Sequence, residues 1–405
     1  MSGVKSLPTL GENKNRSLFM EESLVCANIG NEIAWEHRHK PSYTPPRVVL
    51  QMRRDLWALP LWVTPSSCPV FAPEQHAPLP AFLSREHGDR VCSPLHWGRW
   101  KPSSIALWGP EPTLLRQMQR YSVFREKSFE YGGGYETLDF CMNRSASQRF
   151  FLSYNTIATD AFACVVYQKE ELSRLLGRAP LGLVLKKPYS SSGRGVFFVT
   201  KERVSEAEKL LQKAPLLVEP LLNKQQDWAA EYYISPGGVV SFCGLSFFAT
   251  SPNGQYLYNE LLSQEMLIRR LQCSVGAALW QETQTAHIRF LQQEVAPNYT
   301  GYVGIDMLTY TPFSSKEISL LHPFVEINLR YTMGMYALDL YRIFGVQGRF
   351  SIQMLPLEED QRRLFVAKLS EHPPQWSNEG RWLGGVLPLT LPDAESRYIA
   401  LLCAT

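Results

Sequence analysis

Apolar and polar residues alternate strictly from Val325 to Arg330. In an extended chain Val325, Ile327 and Leu329 take one side, and Glu326, Asn328 and Arg330 the other. The pattern predicts a strand over 322–330. Side chains two apart on a strand sit about 6.6 Å apart on the same face, so a carboxylate, an amide and a guanidinium are lined up. Any solvated strand face has this look, so the alternation alone carries no chemistry. A second alternating stretch, 301–308, turns Asp306 away from Val303, Ile305 and Met307. Helical spacing marks 47–58, where Val48, Val49, Met52, Leu56 and Trp57 share a side and Arg53 and Arg54 turn away. A strand over 59–63 and a long loop over 71–94, rich in Pro and polar residues, are expected next. Helices are expected over 113–128, 140–154, 169–176, 201–213, 335–344 and most of 260–295. Strands are expected over 163–167, 181–186, 196–200, 216–222, 227–234 and 239–249. In the tail, a loop over 373–385 precedes strands over 385–391 and 397–404. Residues 131–135 read as a break, 314–318 as a helical turn, and 1–17 as a frayed lead.

Composition narrows the classes. The chain has 405 residues, 45% hydrophobic and 20% charged, enough for two or three domains. A formal charge of +3 offers no basis for a nucleic-acid or membrane partner. The eight cysteines include no Cys-x-x-Cys pair, which reads as reduced thiols in a cytoplasm. The first residues lack the apolar core of a secretory signal, and no apolar run reaches the roughly 20 residues of a membrane span. Trp97, Trp100 and Trp108 read as buried packing residues, His287 as a surface or packing residue, and His37-Arg38-His39 as a solvated run.

Candidate chemistry gathers in the middle of the chain. Lys187-Pro188 leads into Tyr189, Ser190, Ser191, Ser192, Gly193, Arg194 and Gly195, lying between two expected strands. Glycines free the backbone to fold over an anion, and the serines add donors. A plain Ser/Gly hairpin turn reads equally well. No Gly-x-x-x-x-Gly-Lys-Ser/Thr phosphate loop occurs. Further on, Glu219 ends an apolar run, Gly304-Ile305-Asp306 lies in one alternating stretch, and Glu326-Ile327-Asn328 in the other.

In this order, the pieces resemble the ATP-grasp superfamily over roughly residues 143–344. The resemblance implies an α+β fold with two lobes gripping ATP (121–350), a smaller α/β pre-ATP-grasp domain before it (18–120), and a C-terminal extension (351–405) with a strand pair. It implies that Asp306, Glu326 and Asn328 bind Mg²⁺, or Mn²⁺ in its place. Hard oxygen ligands shared with substrate phosphates suit that ion. Lys187 would contact the ATP phosphates, with Ser190, Ser191, Ser192, Gly193, Arg194 and Gly195 closing over them. Arg144 stands where many members carry a phosphate-contacting Lys in an Asp-Lys pair; here the pair is Asn143-Arg144, a departure. Glu219 and the backbone after it, at Leu221, would hold the adenine. Asp227 would reach the ribose, with Glu231 as a competitor. Arg330 would face the reacting phosphoryl group, so Arg330 and Lys187 are the expected catalytic residues. The implied activity is ATP-dependent ligation of a small-molecule carboxylate to an amine through an acyl phosphate. A phosphotransferase acting on a hydroxyl and a silent ATP-binding protein are the alternatives. The substrates and the oligomeric state are not legible.

Overall fold

The computed structural model describes residues 23–80, 83, 87–93, 102, 104–120, 128–129, 135–154, 157, 159–189, 195–200, 203–252, 254–313 and 318–405. The lead 1–17, residues 131–134 of the expected break, Trp97 and Trp100, loop residues Ser190 to Arg194 and most of the 314–318 turn lie outside them, and Tyr135 opens a helix. None of the described helices is long and apolar enough to cross a membrane.

The chain divides into two compact units: Met1–Glu130 with Leu257–Ser263 and Met335–Thr405, and Tyr131–Tyr256 with Gln264–Gly334. The first unit holds a five-stranded sheet with neighbours paired parallel, in the order Val91–Cys92, Val70–Phe71, Leu24–Cys26, Ser104–Leu107, Ser128–Phe129. Its helix Arg47–Leu56 starts directly after Pro46, which cannot donate within a helix but suits its entry. Two expectations are corrected here. Residues 59–63 are not a strand: Pro60–Val63 is a helical turn with Pro60 in its first position, where a missing N–H costs nothing. The run is buried on every side, so periodicity could not separate helix from strand. The 71–94 stretch is not all loop, since it carries the short strands ending at Phe71 and Cys92.

The tail packs within this same unit. Gly348–Met354 pairs antiparallel with Tyr398–Ala404, which pairs with Val386–Pro388. Strand Gly348–Met354, helix Glu359–Ser370 and the Gln375–Trp376/Trp382–Gly384 hairpin were not anticipated. Buried Asp55 accepts the backbone N–H groups of Arg397 and Tyr398 at 2.8 and 3.0 Å, tying the tail to the Arg47–Leu56 helix.

The second unit holds two antiparallel sheets. In one, the order is Cys164–Val166, Leu216–Pro220, Leu183–Lys186, Val196–Val199. Helices Lys169–Arg178 and Val204–Leu211 contribute Leu172, Leu175, Leu176 and Ala207 to its core. The first of these helices is started by a reciprocal cap between Gln168 and Glu171. In the other sheet, Leu320–Asn328 pairs with Gly301–Thr311, that strand with Asn223–Ile234, and that one with Val240–Thr250. Helix Ala277–Phe290, which follows Gln264–Val275, packs on one face. Phe150, Phe290 and Phe324 interlock there, with ring centroids 4.6 to 5.7 Å apart. His287 lies in this core: its Nε2 is 2.7 Å from Pro323 O and its Nδ1 is 3.1 Å from the Tyr232 hydroxyl. The opposite face of the sheet carries the polar residues. The expected 140–154 helix is two helices, Tyr135–Met142 and Ala146–Ser153. They break where Asn143 Oδ1 takes the Ser145 N–H at 2.9 Å, a side-chain bond that competes with helix continuation.

Candidate active site

Pairing register builds the centre of the site. Asp306 and Glu326 are direct Cα partners on neighbouring strands, and Asn328 lies opposite Gly304. The pleat therefore puts Asp306, Glu326 and Asn328 on one face. Asn328 hydrogen-bonds the Asp306 carboxylate, and Arg330 Nη2 donates to Asn328 Oδ1 at 2.9 Å. The strand ends at Asn328, and Arg330 N bonds Asn328 O in a tight turn. Arg330 thus reaches its neighbour through the turn, not through continued alternation. Burial pushes its guanidinium down to about 10. Burial and the nearby Glu326 and Glu231 charges hold the Asp306 carboxyl well above the usual carboxylate range. Two facing carboxylates and an amide oxygen are hard donors crowded together, and that crowding is what a divalent cation relieves. The donor set fits Mg²⁺. Among the described residues no group of three or more His, Cys, Asp or Glu is arranged to hold a metal.

Arg144, at the helix break, donates to both oxygens of Glu326: Nε to Oε1 at 3.2 Å and Nη2 to Oε2 at 3.3 Å. Its backbone N–H is held by Pro188 O at 3.0 Å, and Tyr189 bonds Asp139 Oδ1 at 2.7 Å. The foot of the small-residue loop is therefore anchored to this segment. Of that loop, Gly195 is described. Its φ of +73° is glycine territory, and its carbonyl accepts the Lys187 N–H at 2.9 Å, closing the hairpin.

Lys187 and its neighbour Lys186 are placed differently. Lys187 is exposed, with its ammonium 6.0 Å from the centre of the Phe197 ring. Lys186, the last residue of its strand, turns the other way. It is buried, 2.7 Å from Glu219 Oε2, and donates to Val325 O at 3.0 Å. Lys186 thus also reaches the Glu326 strand. Glu219 is buried; its desolvation raises the carboxyl's pKa, and Lys186 offsets part of that. His322 Nε2 lies 3.9 Å from Glu219 Oε2. Burial and the Lys186 charge push the imidazole down to about 3, so it is neutral. Glu219 Oε1 and His322 Nε2 are buried with no partner among the described residues, a polar pair able to take a nucleobase's donor and acceptor edge. The Leu221 N–H donates to Gly182 O at 2.8 Å, which leaves its carbonyl as the group this residue can offer.

Asp227 and Glu231 differ in their surroundings. Both share the polar face, but Glu231 is 1% exposed and bonded by Ser246 Oγ at 3.0 Å and Thr332 Oγ1 at 2.8 Å. A Cβ at Gly304 would come within 2.9 Å of its Oε2, and one at Gly334 would overlap its Oε1. Burial lifts it to about 7. Asp227 is the more accessible of the two, with Oδ2 at 2.7 Å from both Lys224 Nζ and Thr250 Oγ1. Sequence reasoning passed over Lys186 and His322 and missed the Arg144–Glu326 pair. The doubled Lys186-Lys187 was a visible ambiguity, and the strand puts the two side chains on opposite faces.

No protein-family model and no curated protein matches the chain in sequence. Solved structures match it in three dimensions. A biotin carboxylase–β,γ-ATP complex from Campylobacter jejuni is 12% identical with a TM-score of 0.52, over 95% of this chain and 87% of that one. N5-carboxyaminoimidazole synthetase from Staphylococcus aureus is 9% identical, TM-score 0.51, over 88% and 91%. A carboxyaminoimidazole ribonucleotide synthase from Aspergillus clavatus complexed with ATP is 12% identical, TM-score 0.50, over 87% and 92%. The chain has the mixed helix-and-sheet ATP-grasp fold of these enzymes.

Proposed function

We propose that this protein is a Mg-ATP-dependent ligase that joins a small-molecule carboxylate to an amine. The observation that carries the reading is the Asp306, Glu326 and Asn328 oxygen cluster, formed across two paired strands in an ATP-grasp fold. Mg²⁺ held by these three oxygen donors would neutralise phosphate charge. Lys186, Arg144 and Arg330 supply three cations around the same face and suit the phosphates and the transferring group. Glu219 and His322 suit the base, and Asp227 the ribose hydroxyls. In the reaction a carboxylate oxygen attacks the γ-phosphorus, ADP leaves, and an acyl phosphate forms. The amine nitrogen then attacks the acyl carbon, phosphate leaves, and the nitrogen gives up a proton. The protein's work is positioning and charge neutralisation. The eight free thiols fit a reducing compartment such as the cytoplasm, and the near-balanced charge fits small-molecule partners without nucleic acid or membrane.

The test is release of ADP and inorganic phosphate from Mg-ATP in the presence of pools of carboxylates and amines. Phosphate release that needs both partners supports the ligase. ADP with a phosphorylated acceptor and no free phosphate replaces it with a kinase. Glu326→Gln is expected to lower turnover about 100-fold or more, and full activity in that variant overturns the metal assignment.

A further inference from the structure

Arg144 and Glu326 are engaged with each other across the metal-binding face. Both carboxylate oxygens are taken by one guanidinium. The bonds, at 3.2 and 3.3 Å, are longer than the usual 2.7–2.9 Å of an optimised charge-assisted pair. Arg144 is almost enclosed, its side chain 5% exposed, while Glu326 keeps 24%. The carboxylate is therefore open to an incoming ion on one side, with its lone pairs occupied from the other. Opposite it stands Asp306, its direct partner on the neighbouring strand. Arg144 is also fixed through its backbone N–H to Pro188 O, at the foot of the loop expected to cover phosphates.

A bare divalent cation arriving here competes with Arg144 for the Glu326 oxygens and is repelled by the guanidinium beside them, which is unfavourable. A nucleotide removes that obstacle, because its phosphate oxygens give the planar guanidinium a new bidentate partner. We propose that Arg144 guards Glu326. It holds the carboxylate until nucleotide phosphates draw the guanidinium away, so that the metal binds tightly with nucleotide and weakly without it. Arg144 is thus a positioning residue acting through Glu326. The proposal rests on the Mg-ATP reading of this site.

The probes are Mn²⁺ alone, followed by electron paramagnetic resonance, and ADP alone in chelator, followed by calorimetry, both on the full chain. Arg144→Gln is expected to tighten nucleotide-free Mn²⁺ binding at least about tenfold and to weaken metal-free ADP binding by about the same factor. These opposite signs exclude a merely structural role, since a disturbed site weakens both. Mn²⁺ affinity unchanged or reduced in Arg144→Gln overturns the proposal, provided Glu326→Gln still abolishes Mn²⁺ binding. If Glu326→Gln leaves Mn²⁺ binding intact, the metal-site reading itself falls and takes the proposal with it. Arg144→Lys keeps a charge but loses the fork. It serves if the Gln variant does not fold, with Mn²⁺ affinity expected to rise by about threefold and an unchanged value counting against the proposal.

Discussion

Lys186 and Lys187 are the same side chain one residue apart, and the pleat sends them to opposite faces. One meets Glu219 in the interior; the other lies over Phe197 in solvent. The chemistry of a lysine here is decided by parity along the strand, not by residue type. Lys186→Met is expected to weaken ADP binding about tenfold or more, and Lys187→Ala to leave it within about twofold. Titration calorimetry on the two variants checks this, and the reverse order would restore the original assignment. The same parity explains why Asp306 was readable from sequence: its alternating neighbours Val303, Ile305 and Met307 are all buried. Arg330 was placed near Asn328 for a partly mistaken reason, because its strand stops two residues earlier and a turn supplies the contact.

At the scale of elements, the Asp306 and Glu326 strands matter less for their own sequences than for what their connections permit. Gly304 and Gly334 come from different segments, and both leave room for the Glu231 carboxylate. That carboxylate bonds Ser246 on one neighbouring strand and Thr332 in the segment after Arg330. Gly334→Ala puts a methyl group where Glu231 Oε1 and Ser246 Oγ stand, so the bonds must break or the backbone must move. A loss of about 2 kcal/mol is expected. Glu231→Ala removes one of the two overlaps and frees Ser246 Oγ to turn aside, so the double variant should be less destabilised than the sum of the singles. Additive losses in denaturant unfolding would mean that the overlap is relieved elsewhere. The Asn143 break was likewise invisible to periodicity, since the apolar spacing runs through it. The Asx bond to Ser145 and the Pro188 carbonyl decide it.

Stability against acid belongs to the whole molecule, because every buried titratable group contributes. His287 titrates near 6.5 when unfolded and is pushed down to about 4 by burial in the fold. Its folded pKa is lowered, so below 6.5 the unfolded state binds more protons and stability falls as pH drops from 6.5 to 4. Its share is about 3 kcal/mol at most. Glu231 acts in the opposite sense. Its pKa is raised to about 7, so its contribution falls as pH rises from the unfolded carboxyl range towards 7. Urea unfolding between pH 4 and 6.5 is expected to show a shallower pH slope in His287→Gln than in the native chain; equal slopes would mean that the imidazole is not buried neutral. By itself the sequence determined which residues could share a face, because strand pleat and helix pitch are local. It also determined the order in which Lys, Gly, Glu, Asp and Asn appear, and with it the resemblance to ATP-grasp proteins. It could not determine that Asp306 faces Glu326, that Lys186 meets Glu219, that Arg144 closes on Glu326, or that 335–405 packs in one unit with the N-terminal sheet. Those facts depend on register and on contacts between residues far apart in the chain. They are selected by which pairing buries the most apolar surface while leaving the fewest polar groups unsatisfied, a property of the assembled fold and not of any segment in it.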